Sequence, residues 1–149
     1  ILRNTIFYPY AWALKYGRGR ALSIQPEGPG YEVASLGKPI EDIGLAAPGF
    51  GQVQYLDVMA TLQPEQKTAT IFVLNRDLEN EQELELNWHD LTPSRVIGFE
   101  TITGNDLKAL NTFADPKKVV PQTVANPSVG SKMSVKVPAR SYSVLTLTV

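Results

Sequence analysis

The 149-residue sequence contains no cysteine, a single histidine, and only two methionines and two tryptophans. Without cysteine there is neither a disulfide framework nor a thiolate metal site. A domain of this size folds without bridges, so the compartment stays open between cytoplasmic and secreted. With one histidine, His89, any His-dependent triad or metal cluster has to use that residue. Charge of one sign is lacking too: 14 basic against 15 acidic side chains leave a net charge of −1. Nucleic acid or an anionic membrane would favour a concentrated basic patch, so neither is expected as a partner. No apolar run approaches the ~20 residues a helix needs to cross a bilayer. No serine lies in a Gly-x-Ser-x-Gly setting, which leaves a serine-hydrolase reading without support.

What is present is 43% hydrophobic residues, enough for one proper core. The chain opens Ile1-Leu2-Arg3-Asn4, with no initiator Met and no signal-peptide pattern, so a piece of a longer protein is expected. The first 16 residues hold five of the 13 aromatics: Phe7, Tyr8, Tyr10, Trp12 and Tyr16. Pro9 suits the first turn of a helix and Gly17 its left-handed C-terminal position. The segment Tyr8–Tyr16 is therefore predicted to be a helix, apolar on nearly every side. Such a helix must be covered on more than one face. Residues 17–149 are not expected to supply all of that cover, so some of the five aromatics should be solvent-exposed.

From Ala21 to Phe50 glycine and proline dominate. This reads as a connector with short strands near Ala21–Gln25 and Tyr31–Val33 and a turn at Gly28-Pro29-Gly30. Strand signals follow at intervals of 10 to 20 residues. Leu56, Val58, Ala60 and Leu62 share a face. Ile71-Phe72-Val73-Leu74 suits a central strand buried on both sides. Leu84, Leu86 and Trp88 alternate with Glu83, Glu85 and Asn87, and Met133, Val135 and Val137 alternate with Lys and Ser. Val96, Ile97, Phe99 and Ile102 form another strand, with Gly98 a bulge position, and Ser141–Val149 closes the chain. Gly104–Pro127 is a long ordered loop with one helical turn near Asp106–Leu110. The fold class is mostly β: an antiparallel β-sandwich of jelly-roll or immunoglobulin-like type, preceded by one helix.

Other chemistry is thinly supported. His89 sits where a strand gives way to a turn and reads as a surface residue. Asp77, Glu79, Glu81, Glu83 and Glu85 form an acidic run, but calcium needs oxygens converging on one point, and these read as a solvated hairpin. Gly17-Arg18-Gly19-Arg20 lacks phosphate-loop spacing and follows a helix instead of opening one. No cofactor and no metal site is expected. Glycoside hydrolysis needs two carboxylates in a cleft, and the nine Glu and six Asp lie mostly in turns or on polar strand faces.

Several segments together resemble α-L-arabinofuranosidases of glycoside hydrolase family 51. Leu2-Arg3-Asn4-Thr5-Ile6-Phe7-Tyr8-Pro9-Tyr10, followed by Tyr16-Gly17-Arg18-Gly19, is similar to the family's passage from its last barrel strand into its last helix. Val53-Gln54-Tyr55-Leu56-Asp57 and Phe72-Val73-Leu74-Asn75-Arg76 are similar to its next two strands. Asp106-Leu107-Lys108-Ala109, Asn111-Thr112-Phe113, Pro116 and Val119-Val120-Pro121 match its long loop, and Val137-Pro138, Ser141 and Val144-Leu145 its closing strands.

The resemblance implies three parts. Residues 1–20 hold the last helix of an upstream (β/α)8 barrel, 21–52 a connector with short strands, and 53–149 the C-terminal β-sandwich. It implies a parent enzyme that releases terminal arabinofuranosyl residues from arabinose-containing polysaccharides and oligosaccharides by a retaining mechanism. Both catalytic glutamates would precede Ile1, so no catalytic residue is expected in this chain. It also implies that Asn4, where family members often carry Gln, ends the last barrel strand facing the sugar; helix capping is the alternative for that residue. The expected partners are the barrel of the same protein, arabinose-containing glycans through the parent enzyme, and further copies in a homo-oligomer. A carbohydrate-binding module is the competing function. It would need a planar row of exposed aromatics, and most of those after Tyr16 fall on core-facing or apolar strands.

Overall fold

The computed structural model describes residues 2–34, 39–40, 45–46 and 49–149. In chain order the elements are helix α1 (Phe7–Tyr16) and strands β1 (Arg20–Ala21), β2 (Gly30–Val33), β3 (Pro39–Ile40), β4 (Leu45–Ala46), β5 (Gly51–Gln54), β6 (Leu56–Gln63), β7 (Thr68–Asn75), β8 (Gln82–Asn87), β9 (Arg95–Ile102), β10 (Gln122–Thr123), β11 (Lys132–Val137) and β12 (Ser141–Thr148). A 3₁₀ turn, Pro64–Gln66, joins β6 to β7. Every described ladder is antiparallel. Six strands form one sheet in the order β1-β6-β7-β12-β9-β10; β8 pairs with β11, β2 with β5, and β3 with β4.

The alternation in the sequence decides how the layers meet. In β11, Met133, Val135 and Val137 are buried while Lys132, Ser134 and Lys136 are exposed. They pack on Ala60, Ile71, Val73, Phe99, Leu145 and Leu147 of the large sheet, with Leu84, Leu86 and Trp88 partly buried around them. Two inner faces interdigitating in this way make a β-sandwich core. β7 is buried on both sides as its apolar run predicts. Ile71 and Val73 face the small sheet, and Phe72, of opposite parity, joins a second cluster with Trp12 of α1 and Val144 of β12. The bulge falls beside Gly98: Gly98 opposes Thr146 and Val96 opposes Leu147, so Ile97 is the extra residue and points outward.

Four local expectations need correction. Gly17 is not left-handed; its φ is −77°, and its N–H closes the helix on the Ala13 carbonyl at 2.9 Å. The positive φ, 90°, belongs to Gly19, where a Cβ would run into the Leu62 carbonyl. Glycine is needed there because β1 runs against the edge of β6, Arg20 opposite Leu62. The strand near Ala21–Gln25 is correspondingly shorter and earlier, Arg20–Ala21. In the long loop, Asp106 opens a β-turn, closed by Ala109 N–H on its carbonyl at 3.1 Å, and no helix forms. Finally, Asp77 is buried instead of belonging to the solvated acidic run. Its carboxylate accepts the N–H groups of Glu79 (2.9 Å) and Asn80 (3.0 Å) and the Gln82 amide (2.7 Å). Those backbone donors hold its pKa below the usual carboxylate range.

Candidate functional site: the outer face of the first helix

α1 carries two apolar faces, and helical geometry separates them. At 3.6 residues per turn, Phe7, Tyr10 and Leu14 fall on one stripe, whereas Trp12 and Tyr16, four apart, fall on the opposite side. The inner side is covered by the domain itself. Trp12 is 6% exposed and stacks on Tyr142 with centroids 6.0 Å apart; Tyr142 in turn stacks on Phe72 at 6.4 Å. Burial among these rings pushes the Tyr142 phenol pKa up. The Thr61 hydroxyl donates to the Tyr16 carbonyl at 3.3 Å, joining the end of α1 to β6.

The outer stripe has no cover among the described residues. Ile6 is 65% exposed, Phe7 43%, Tyr10 67% and Leu14 73%. Thus two of the five aromatics, Phe7 and Tyr10, are exposed, and Tyr8 and Tyr16 are half-buried. Cations border the stripe. The Arg3 guanidinium lies 5.1 Å from the Phe7 ring centre, and Arg18 Nε donates to the Leu14 carbonyl at 3.0 Å. On the inner side, Lys15 rests 4.6 Å from the Tyr16 ring centre, and its hydrogen bond to Tyr16 raises its pKa. The whole chain exposes 10122 Å². A self-contained globule of this mass would expose roughly 7,500 Å².

An apolar groove of about 420 Å³ runs from the start of α1 to the ends of β7 and β12, lined by Ile6, Pro9, Leu78, Leu107, Arg140 and Tyr142. Asn4 lies beside it, exposed, before the helix. Its Oδ1 accepts the Thr5 N–H at 2.9 Å and its carbonyl accepts the Phe7 N–H at 2.9 Å. The helix itself starts from Ile6 without a side-chain cap. His89 is exposed in the bend after β8, near a shallow hollow of about 460 Å³ lined by Asn87, Trp88, Ser131 and Lys132. Several carboxylates have structural partners: Asp57 pairs with Arg76 at 2.5 Å, Glu81 with Lys136 at 3.7 Å, and Glu83 with the Ser134 hydroxyl. Among the described residues no three His, Asp or Glu side chains gather as a metal site would require.

Sequence reasoning missed two features of this face. The Trp12–Tyr142–Phe72 stack had a signal available: Tyr142 and Val144 share the parity of β12 that points away from the sandwich core. The anchoring of the long loop had none. Asn111, 1% exposed, donates to the Arg3 carbonyl at 2.7 Å, and nothing in Leu110-Asn111-Thr112 marks that asparagine as buried.

Comparison with known proteins places this arrangement. The family model described as alpha-L-arabinofuranosidase C-terminal domain matches residues 1–141. The chain is similar to an intracellular exo-alpha-(1->5)-L-arabinofuranosidase of Streptomyces lividans, 28% identical over 127 residues, covering 85% of this chain and 17% of that protein. The like-named protein 1 of Bacillus subtilis is 29% identical over 127 residues, covering 85% of this chain and 22% of its own length. The chain thus spans about a fifth of the curated relatives it matches. In fold it superposes on a family 51 α-L-arabinofuranosidase from Bifidobacterium longum with a TM-score of 0.78 at 22% identity, covering 98% of this chain and 26% of that one. The chain belongs to the alpha-L-arabinofuranosidase C-terminal domain family, the C-terminal domain of family 51 arabinofuranosidases.

Proposed function

We propose that this chain buttresses the catalytic barrel of an α-L-arabinofuranosidase. Residues 1–20 supply the last barrel helix, 21–52 the connector and 53–149 the sandwich. The observation that carries this reading is the divided helix. One face of α1 is sealed by Trp12 on the sandwich, and the other presents Ile6, Phe7, Tyr10 and Leu14 uncovered. A barrel helix has this requirement, since its outward neighbours and its barrel neighbours are different bodies. The parent enzyme releases terminal arabinofuranosyl residues from arabinose-containing glycans by a retaining mechanism, with both glutamates upstream of this domain. The domain itself carries no catalytic residue. Asn4 contacts the sugar. In support, its side chain is exposed, and among the described residues its amide nitrogen makes no hydrogen bond. The resemblance extends the same reading to a homo-oligomeric parent without nucleic-acid or membrane partners.

The carbohydrate-binding alternative finds less support. Of the aromatics after Tyr16, Phe50 and Phe113 are exposed. Tyr31 and Tyr55 are half-buried, with rings 5.3 Å apart and tilted by 34°, so they offer no planar platform. The test compares the full-length polypeptide with residues 1–149 on an aryl α-L-arabinofuranoside, and titrates the shorter chain with arabinoxylan. Turnover by the full-length protein alone, without saturable binding by the domain, is expected. Turnover by residues 1–149 that is lost on changing one Asp or Glu would overturn the reading. Binding tighter than about 1 mM would favour the binding module.

A further inference from the structure

Two asparagines, Asn75 and Asn111, are each 1% exposed, and both act as bridges between backbone groups. Asn75 works inside the sandwich, with Nδ2 directed at the carbonyls of Asn80 (3.2 Å), Val137 (3.1 Å) and Pro138 (2.9 Å). Asn111 works between bodies. It sits in the long loop between β9 and β10, its Oδ1 accepts the Val119 N–H at 2.7 Å, and its Nδ2 donates to the Val119 carbonyl at 2.8 Å. The remaining N–H goes to the carbonyl of Arg3 at 2.7 Å, 108 residues away. Residues 2–4 join no described ladder, and the carbonyl of Asn4, one residue on, accepts the Phe7 N–H that begins the first turn of α1. The sandwich loop thus holds the backbone just before the helix.

We propose that Asn111 is a positioning residue for the substrate pocket: through Arg3 it sets where the Arg3–Asn4 peptide lies, and so where Asn4 meets the sugar. This rests on the reading above that residues 2–4 end the last barrel strand. The sandwich then acts on the reaction through one hydrogen bond, in addition to supporting the barrel. Losing the amide leaves the Arg3 carbonyl without its donor and the loop without the brace at Val119, while the sandwich core is untouched. A misplacement near 1 Å at a reacting centre costs on the order of 100-fold in rate.

The experiment uses the full-length enzyme with Asn111→Ser, and Asn75→Ser as an equally buried control. With an aryl α-L-arabinofuranoside, Asn111→Ser should lower kcat by about 10-fold to 100-fold, while Asn75→Ser lowers Tm and leaves kcat within about twofold of wild type. Hydrogen exchange at the Thr5, Phe7 and Tyr8 amides should accelerate in Asn111→Ser only. If the serine variant does not fold, Asn111→Gln keeps the amide but displaces it by a methylene, and the same two readouts apply. Unchanged kcat in the Asn111 variant, or an equal loss in the Asn75 variant, overturns the proposal. If the wild-type enzyme has no arabinofuranosidase activity, the proposed function fails, and exchange at residues 5–8 alone then decides whether Asn111 clamps this segment.

Discussion

Truncating Leu14 and truncating Trp12 should have opposite context dependence, because the two side chains point to opposite sides of α1. Fully burying a leucine is worth about 1.5–3 kcal/mol. Leu14 is 73% exposed in this chain, so about three-quarters of that, roughly 1–2 kcal/mol, is realised only when another body covers it. In residues 1–149 alone, Leu14→Ala should therefore behave as a surface change and move stability by no more than about 0.5 kcal/mol. In the full-length protein the same substitution removes a buried side chain and leaves a cavity, for about 2–5 kcal/mol. Trp12→Ala should cost about 3–5 kcal/mol in both settings, since its cover, Tyr142 and Phe72, belongs to the domain itself. Urea denaturation of the two lengths, each with both substitutions, gives the four numbers. A Leu14→Ala cost that is the same in the short and the long protein would refute the assignment of the outer stripe to a barrel.

Asp77 should give the domain an acid-sensitive stability. Its carboxyl is held below the usual range by the Glu79 and Asn80 N–H groups, so the stabilisation is complete above the unfolded value of about 3.9. It is lost as pH falls from there through the lower folded-state value. Asp77→Asn should flatten the stability profile between about pH 2 and 4, measured by urea midpoints across that range; an unchanged slope would remove Asp77 from the account. Gly19→Ala should lower stability by about 2 kcal/mol or more, because φ is 90° and the new Cβ meets the Leu62 carbonyl. For a chain of this size that is a fall of about 4–8 °C in Tm, whereas Gly28→Ala, with open space around it, is the neutral comparison.

Where side chains alternate or form an unbroken apolar run, the fold was readable from the residues. The Ile71–Leu74 run placed β7 at the centre of a sheet, and the Lys132–Val137 alternation gave β11 its buried and exposed faces without error. Features that depend on a partner far along the chain were not readable. Gly17 looked like the left-handed cap because it follows the helix directly. The close approach that needs glycine is set by β6, more than 40 residues later, and falls on Gly19. Asp77 shared its acidic neighbours' composition, yet it begins a tight turn whose N–H groups face inward and must find an acceptor. Asn111 is the extreme case. Its partners are Val119 in its own loop and Arg3 at the other end of the chain, and single-sequence patterning carries no trace of such a contact.

The helix itself was legible as too apolar for one cover, but the division of its faces was not. Composition counts aromatics; it does not assign them to partners. Three attachments make the assignment. In the middle, Trp12 lies stacked on Tyr142 and Phe72. At the far end, the Tyr16 carbonyl accepts from Thr61, and just before the near end, the Arg3 carbonyl accepts from Asn111. A buried aromatic stack fixes distance, and a directional hydrogen bond at each end fixes rotation and register. α1 is therefore oriented by the sandwich before anything touches Phe7, Tyr10 or Leu14. Any barrel that packs on that stripe meets a helix already placed, and the ordering cost of that interface falls on the barrel side alone.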